Sequence, residues 1–199
     1  SAVPGKKVVY YTVHSNAAEV EAIRSGRLHI AGFSTGPTGY AVNLGGYVPI
    51  AVKGTVDSFQ GYNLIAITRK DSDIRTMADL KGKMVAHTSA SSNSGNLAPR
   101  ALFPALGLTP DVDYTVKYSG KHDQSIMGVL AGDYDAAPVA SDVFSRMASA
   151  GRINADDFRI LYTSPRFPTS AFGYAHDLHP DLVAKINEAF FSFRFSAKM

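Results

Sequence analysis

Apolar and polar positions along this chain fall into short blocks that switch between a period of two and a period near 3.6, punctuated by glycine and proline. Residues 8–12 read as a strand, opening with Val8 and Val9. Residues 17–25 read as a helix, with Asn16 as N-cap and Gly26 as stop. A strand over 28–31 precedes a loop over 32–39, in which Gly32, Gly36, Pro37 and Gly39 argue against regular structure. Tyr47–Val52 and residues 62–68 read as strands, and Thr76 and Asp79 have the spacing of a capping box. Met84–His87 reads as a strand feeding a Ser-rich loop. The helix after that loop carries Pro99 and Pro104, and so is short, late-starting or kinked. Residues 114–118 form a strand, His122–Ala131 a helix, and 136–139 a strand. Ser141 or Asp142 then caps a helix ending near Gly151. Strands over 158–162 and 172–176 precede an amphipathic helix over 181–191, with Leu182, Val183, Ile186, Ala189 and Phe190 on one face.

This succession implies an α/β fold with a parallel or mixed sheet. In such sheets ligands lie beyond the strand C-termini, where the helices begin. The Ser-rich loop has that position. One echo along the chain has the form of a duplicated lobe: residues 23–31 and 129–137 share a helix end, a glycine stop, a polar residue and a strand. Any helix–glycine–strand unit would share it too.

Composition narrows the classes. With 199 residues the chain is one domain or two small lobes, and 45% hydrophobic content supports a real core. The net charge of +3 comes from scattered Lys and Arg without a run, which points away from nucleic acid. No apolar stretch approaches the ~20 residues of a membrane span. Residues 1–5 lack the charged and apolar regions of a secretory signal. Zero cysteines exclude disulfides and thiolate metal sites. The chain opens almost directly on a strand and closes on the apolar run 190–195, so it reads as a core fragment or a trimmed chain.

The candidate chemistry is that of holding an anion. Ser92, Asn93 and Ser94 offer hydroxyls and backbone N–H groups where a helix begins. His122 opens a second helix and can donate to an anion. Asp142, near the start of a third, is either an N-cap or a carboxylate facing a ligand. Tyr62, after Gly61, offers a phenol or is a half-buried strand residue. Ser34, Thr35 and Gly36 form a second hydroxyl-rich turn. Enzyme signatures are missing: no Gly-x-Ser-x-Gly elbow, Walker loop or Gly-x-Gly-x-x-Gly run. The six histidines form no zinc-spaced pair with a carboxylate. No catalytic residue, metal or cofactor is therefore expected.

Several segments resemble a known family. Residues 78–86, Ala-Asp-Leu-Lys-Gly-Lys-Met-Val-Ala, resemble the entry to the second lobe of type II periplasmic solute-binding proteins. Ser92-Asn93-Ser94-Gly95, Ser119-Gly120-Lys121-His122-Asp123, the run 135–142 and Ser164-Pro165-Arg166-Phe167-Pro168 resemble the phosphonate/phosphite-binding branch that serves ABC transporters. The resemblance runs from about Val8 to Phe193. It implies a two-lobe type II fold, with mixed sheets flanked by helices, lacking the family's first strand and helix and its C-terminal helices. The lobes would be 1–68 with 165–199, and 69–164, with the ligand clamped between them. It puts the oxyanion loop on Ser92, Asn93 and Ser94, where Asn93 replaces a hydroxyl the family often has. The contacting histidine falls on His122, the cleft tyrosine on Tyr62, and a second cleft tyrosine near Asn16. Thr35 would close over the ligand from the first lobe. Of two carboxylates that hold an aminoalkylphosphonate, one falls on Asp142 and the other on Ser170, which is uncharged. That favours phosphite, phosphate, methylphosphonate or another phosphonate over 2-aminoethylphosphonate. The expected partners are a small phosphorus oxyanion and an ABC transporter permease, and the expected state is a monomer in the periplasm or lipid-anchored at the outer face of the membrane. The alternative is the sensor domain of a membrane receptor or histidine kinase on the same fold.

Overall fold

A computed structural model describes residues 5–13, 15–55 and 57–194. Contacts divide the chain into two units. The first takes the residues up to Gln60 and those from Pro168 onward; the second takes Gly61–Phe167. The strand expected over residues 62–68 is two strands, Gly61–Tyr62 and Leu64–Arg69, and both lie in the second unit.

The first unit holds helices α1 (Asn16–Arg24) and α2 (Thr35–Gly45), strands β1 (Ile30–Phe33) and β2 (Tyr47–Val52), and further along the chain strand β10 (Ala171–Ala175) and helix α6 (Pro180–Ser192). Its sheet has the order β1–β10–β2, antiparallel throughout, with a bulge between Phe172 and Gly173. Ile23, Phe33, Ala41 and Tyr47 form its core, closed by Ala31 and Ala175.

Four expectations are corrected here. Residues 8–12 form no strand: Val8 is 74% and Tyr10 89% exposed, and β1 pairs only with β10 among the described residues. Alternation of apolar side chains cannot make a strand without a partner edge. The cap of α1 is Ser15, whose Oγ accepts from Ala18 N at 3.2 Å, not Asn16. The strand expected over 28–31 begins two residues later. The expected loop over 32–39 is largely helix α2. Pro37 sits in its first turn, where the N–H it lacks would have no partner anyway. Its end is set by Gly46, left-handed at φ 66°, whose N–H closes on Ala41 O. Packing against α1, where Gly45 lies against Val20 and Ile23, overrides the poor local propensity.

The second unit holds β3 (Gly61–Tyr62), β4 (Leu64–Arg69), β5 (Met84–His87), α3 (Ala98–Leu102), β6 (Thr115–Tyr118), α4 (His122–Ala131), β7 (Ala136–Ala140), α5 (Ser141–Ser149) and β8 (Phe158–Thr163). Strand β9 (Phe167–Pro168) pairs with β3. The expected capping box forms on the 3-10 turn Met77–Leu80. The kink forecast from two prolines is a π-helical turn at Asn93–Leu97, then α3, then a 3-10 turn at Phe103–Leu106.

Five strands build a mixed sheet, β6–β5–β7–β4–β8. β5 runs parallel to β6 and β7, while β4 runs antiparallel to β7 and β8. All five residues of β7 are buried, as an interior strand requires. It joins β5 through the Val85–Ala136 pair, and Pro138, which has no N–H to give, lies beyond that pair. One face packs Ile126 and Val129 of α4 and Phe144 and Met147 of α5. The other packs Ala98, Phe103, Leu80 and Leu108. The connections leaving β5 and β6 thus cover opposite faces. That makes the C-terminal end of β5 the point where the winding reverses and a crevice opens.

Candidate ligand-binding site

The Ser-rich loop leaves β5 at that reversal point. Its frame is backbone: Thr88 N–H donates to Gly95 O at 3.1 Å, Gly120 N–H to Thr88 O at 2.7 Å, and Ser119 N–H to His87 O at 2.8 Å. These bonds tie the loop to the turn that precedes α4. A Cβ built on Gly95 would run into the Thr88 hydroxyl, so only glycine fits there.

Ser92 is the N-cap of the π-helical turn, and its Oγ accepts from Gly95 N at 3.2 Å. The same Oγ lies 3.5 Å from His122 Nε2. Asn93 Nδ2 donates to the Tyr62 hydroxyl at 3.2 Å, which leaves the phenolic proton free to go elsewhere. Ser94 is buried, and its Oγ has no hydrogen-bond partner among the described residues. The Thr88 Oγ1 is in the same state. A buried orphan hydroxyl is costly, about 1–3 kcal/mol, unless a ligand or water completes it.

His122 is the first residue of α4. Its Nδ1 accepts the Ala140 N–H at 3.3 Å. That backbone donor assigns the neutral ring's proton to Nε2, on the Ser92 side. Burial holds the imidazole below its ordinary range, against the opposing pull of Asp142 and Asp123, so the ring is mainly neutral at pH 7. Ser92, Asn93, Tyr62 and His122 thus form one connected group, with Ser94 beside Asn93 in the chain. Its donors are all neutral.

Asp142 does not cap α5. The N-cap is Ala140, with no side-chain cap bond, and Asp142 is exposed, 3.9 Å from Arg146 Nη1. Ser141 does not cap it either: its Oγ accepts from Asn63 N at 3.0 Å, and its N–H donates to Asn63 O at 2.9 Å. This two-way clasp fixes the residue next to Tyr62.

Thr35 and Ser170 lie in the first unit. The Thr35 hydroxyl gives its proton to Pro168 O at 2.7 Å, with Thr169 O at 3.3 Å. It steadies the segment that carries Ser170. Asn16, expected near a cleft tyrosine position, opens α1.

Beneath the loop lies a buried group that sequence reasoning assigned no role. His87 Nδ1 meets Asn96 Oδ1 at 2.8 Å, and His87 Nε2 meets Tyr114 OH at 3.0 Å. Desolvation lowers the His87 pKa to about 4, so the ring is neutral. The one available signal was His87 at the end of a strand that is otherwise apolar. Among the described residues, no three His, Cys, Asp or Glu side chains come together in a metal-binding group.

The sequence pattern of the periplasmic substrate-binding proteins of phosphonate ABC transporters matches residues 1–199. The chain belongs to that family. Among solved structures, a binding protein component of an ABC phosphonate transporter from Pseudomonas aeruginosa is 19% identical, with a TM-score of 0.75 over 92% of this chain and 62% of its own. PhnD1 from Prochlorococcus marinus, solved with methylphosphonate, is 19% identical, with a TM-score of 0.72 over 92% of this chain and 68% of its own. The fold is that of the type II periplasmic binding proteins. The tetrathionate sensor histidine kinase TtrS of Salmonella typhimurium is 28% identical over 153 residues, 73% of this chain. The chain spans a quarter of that kinase and about two thirds of the solved binding proteins. The family and several of the structural neighbours are substrate-binding proteins. Among the described residues, no helix is long and apolar enough to cross a membrane.

Proposed function

We propose that this chain is the substrate-binding part of an ABC transporter that captures a phosphonate, phosphite or related phosphorus oxyanion in the periplasm and presents it to a permease. The observation that carries the reading is the buried Ser94 hydroxyl without a partner, inside a loop whose neighbours are donors. An oxyanion satisfies it and accepts from the Ser92 hydroxyl, the Tyr62 phenol and the His122 Nε2–H. Hydrogen bonds to an ion are about twice as strong as neutral ones, so uncharged donors suffice to hold it. Asp142, whose charge opposes the loss of the His122 proton, accepts from a protonated ligand oxygen and so favours partly protonated anions. Ser170 offers no charge to an amine, which disfavours 2-aminoethylphosphonate.

A second reading, the ligand-binding domain of a sensor kinase, draws support from the likeness to TtrS. It needs the same kind of loop and a different neighbouring domain.

The test is calorimetric titration with phosphite, methylphosphonate, 2-aminoethylphosphonate, phosphate and sulfate, with His122→Ala as control. Micromolar or tighter binding of one phosphorus oxyanion, lost in the variant, is the expected result. Binding of sulfate alone, or of none of the five, overturns the ligand assignment.

A further inference from the structure

Asn96 is 3% exposed and uses every polar group of its side chain. Its Oδ1 faces three donors: His87 Nδ1 at 2.8 Å, Arg100 Nε at 3.0 Å and the Tyr118 hydroxyl at 3.3 Å. That crowding fixes the amide orientation and turns Nδ2 outward, where it donates to Ala90 O at 2.8 Å. The backbone N–H of Asn96 donates to Ser92 O at 3.1 Å. One residue thus holds two carbonyls of the Ser-rich loop, one on each side of Ser91.

We infer that Asn96 is the positioning residue of the anion loop: its Nδ2–Ala90 bond sets the path of residues 89–92 and hence the place of the Ser92 and Ser94 donors. The inference rests on the binding reading above for what the loop holds. The underlying group is arranged to keep Asn96 from turning. Arg100 Nε, which can only donate, makes Oδ1 the acceptor, so the neutral His87 ring carries its proton on Nδ1 and its Nε2 accepts from Tyr114 OH. Arg100 is anchored at its other end by Asp111, at 2.8 Å. A rotation of the amide by half a turn would set an NH2 group against the Arg100 Nε–H, which can only donate, and a carbonyl oxygen against Ala90 O. No ligand contact is assigned to Asn96.

The variant Asn96→Asp separates positioning from mere stability. It keeps an oxygen for His87, Arg100 and Tyr118 and removes the donor to Ala90. Tyr114→Phe does the reverse, weakening the buried group while leaving the loop tether intact. The expected result for Asn96→Asp is roughly tenfold weaker methylphosphonate binding at both about 0.05 M and about 0.5 M salt. Faster amide hydrogen exchange at residues 89–92 in the ligand-free protein accompanies it, as does a raised His87 pKa by NMR, which reports that the new carboxylate still faces that ring. Tyr114→Phe lowers the melting temperature and leaves the methylphosphonate affinity within about twofold. Three outcomes overturn the inference: unchanged affinity and exchange in Asn96→Asp, a loss that vanishes at high salt and so reports repulsion, or an equal loss in Tyr114→Phe. If the unaltered protein binds no phosphorus oxyanion, the functional reading fails, and the exchange rates at 89–92 still decide the role of Asn96.

Discussion

The turn after β1 and the loop after β5 carry similar side chains and use them in opposite ways. Both lead from a strand into a helical segment, and both are rich in hydroxyls and glycine. In the first, Thr35 donates to Pro168 O, and Thr38 donates to Ser34 O at 2.9 Å and lies 3.1 Å from Phe33 O. Those hydroxyls are consumed by the backbone around them. In the second, Ser94 and Thr88 are buried without a partner among the described residues, and backbone bonds plus the Asn96 side chain hold the loop in shape. A hydroxyl-rich turn keeps hydroxyls for a ligand where other groups carry most of its conformation, as here, where Ser92 alone among the loop hydroxyls caps the turn through Gly95 N.

Four measurements test that contrast. The largest effect belongs to the support beneath the second loop. Folded, His87 stays neutral, with a pKa of about 4 against 6.5 for an ordinary histidine. The unfolded chain therefore takes up a proton first as pH falls. Stability from this group is full above pH 6.5 and declines towards pH 4, by about 3 kcal/mol in all. Urea unfolding across that range is expected to show the decline, and His87→Gln to reduce it to the part owed to His122.

Gly95→Ala comes next. The added Cβ meets Thr88, the loop has to move, and oxyanion affinity is expected to fall about 100-fold by calorimetry, with stability down by about 2 kcal/mol. Preserved affinity would show that the loop geometry is not what binds. Ser94→Ala should weaken binding about tenfold, yet leave stability level or slightly higher, because it deletes an unpaired buried hydroxyl. A clear fall in melting temperature would mean that this hydroxyl is spent on the protein, as in the first turn. The smallest effect is expected from Thr35→Val: a stability loss of about 1 kcal/mol, and an affinity change smaller than that of Ser94→Ala. A larger affinity loss than Ser94→Ala would reverse the contrast.

Much of this was legible from residue order. Met84–His87, Tyr47–Val52 and His122–Ala131 begin and end where periodicity and stop signals put them. Pro99 and Pro104 announced a broken helix. The loop, its glycine and His122 stood out because hydroxyls and a histidine at helix starts have a simple chemical reading. Helix α2 was hidden, since Gly36, Pro37 and Gly39 are poor helix formers and only packing against α1 makes them helical. Asp142 looked like a cap because carboxylates often are. The backbone of Ala140 took that position, and Ser141 was claimed by Asn63.

The sequence by itself determined the alternation of strands and helices, the family, and the identity of the loop that offers donors. The alternation and the loop follow from local rules: side-chain period, capping chemistry, and the placing of glycine and proline; the family follows from the resemblance of short motifs to those of known members. Tertiary structure decided which hydroxyls stay unspent, which nitrogen of His122 carries the proton, and that Asn96, His87 and Tyr114 meet beneath the loop. His87 and Tyr114 stand 27 positions apart, and His122 and Ala140 stand 18 apart. Hydrogen bonding at such separations depends on how strands are ordered in a sheet, and no local pattern of side chains encodes it.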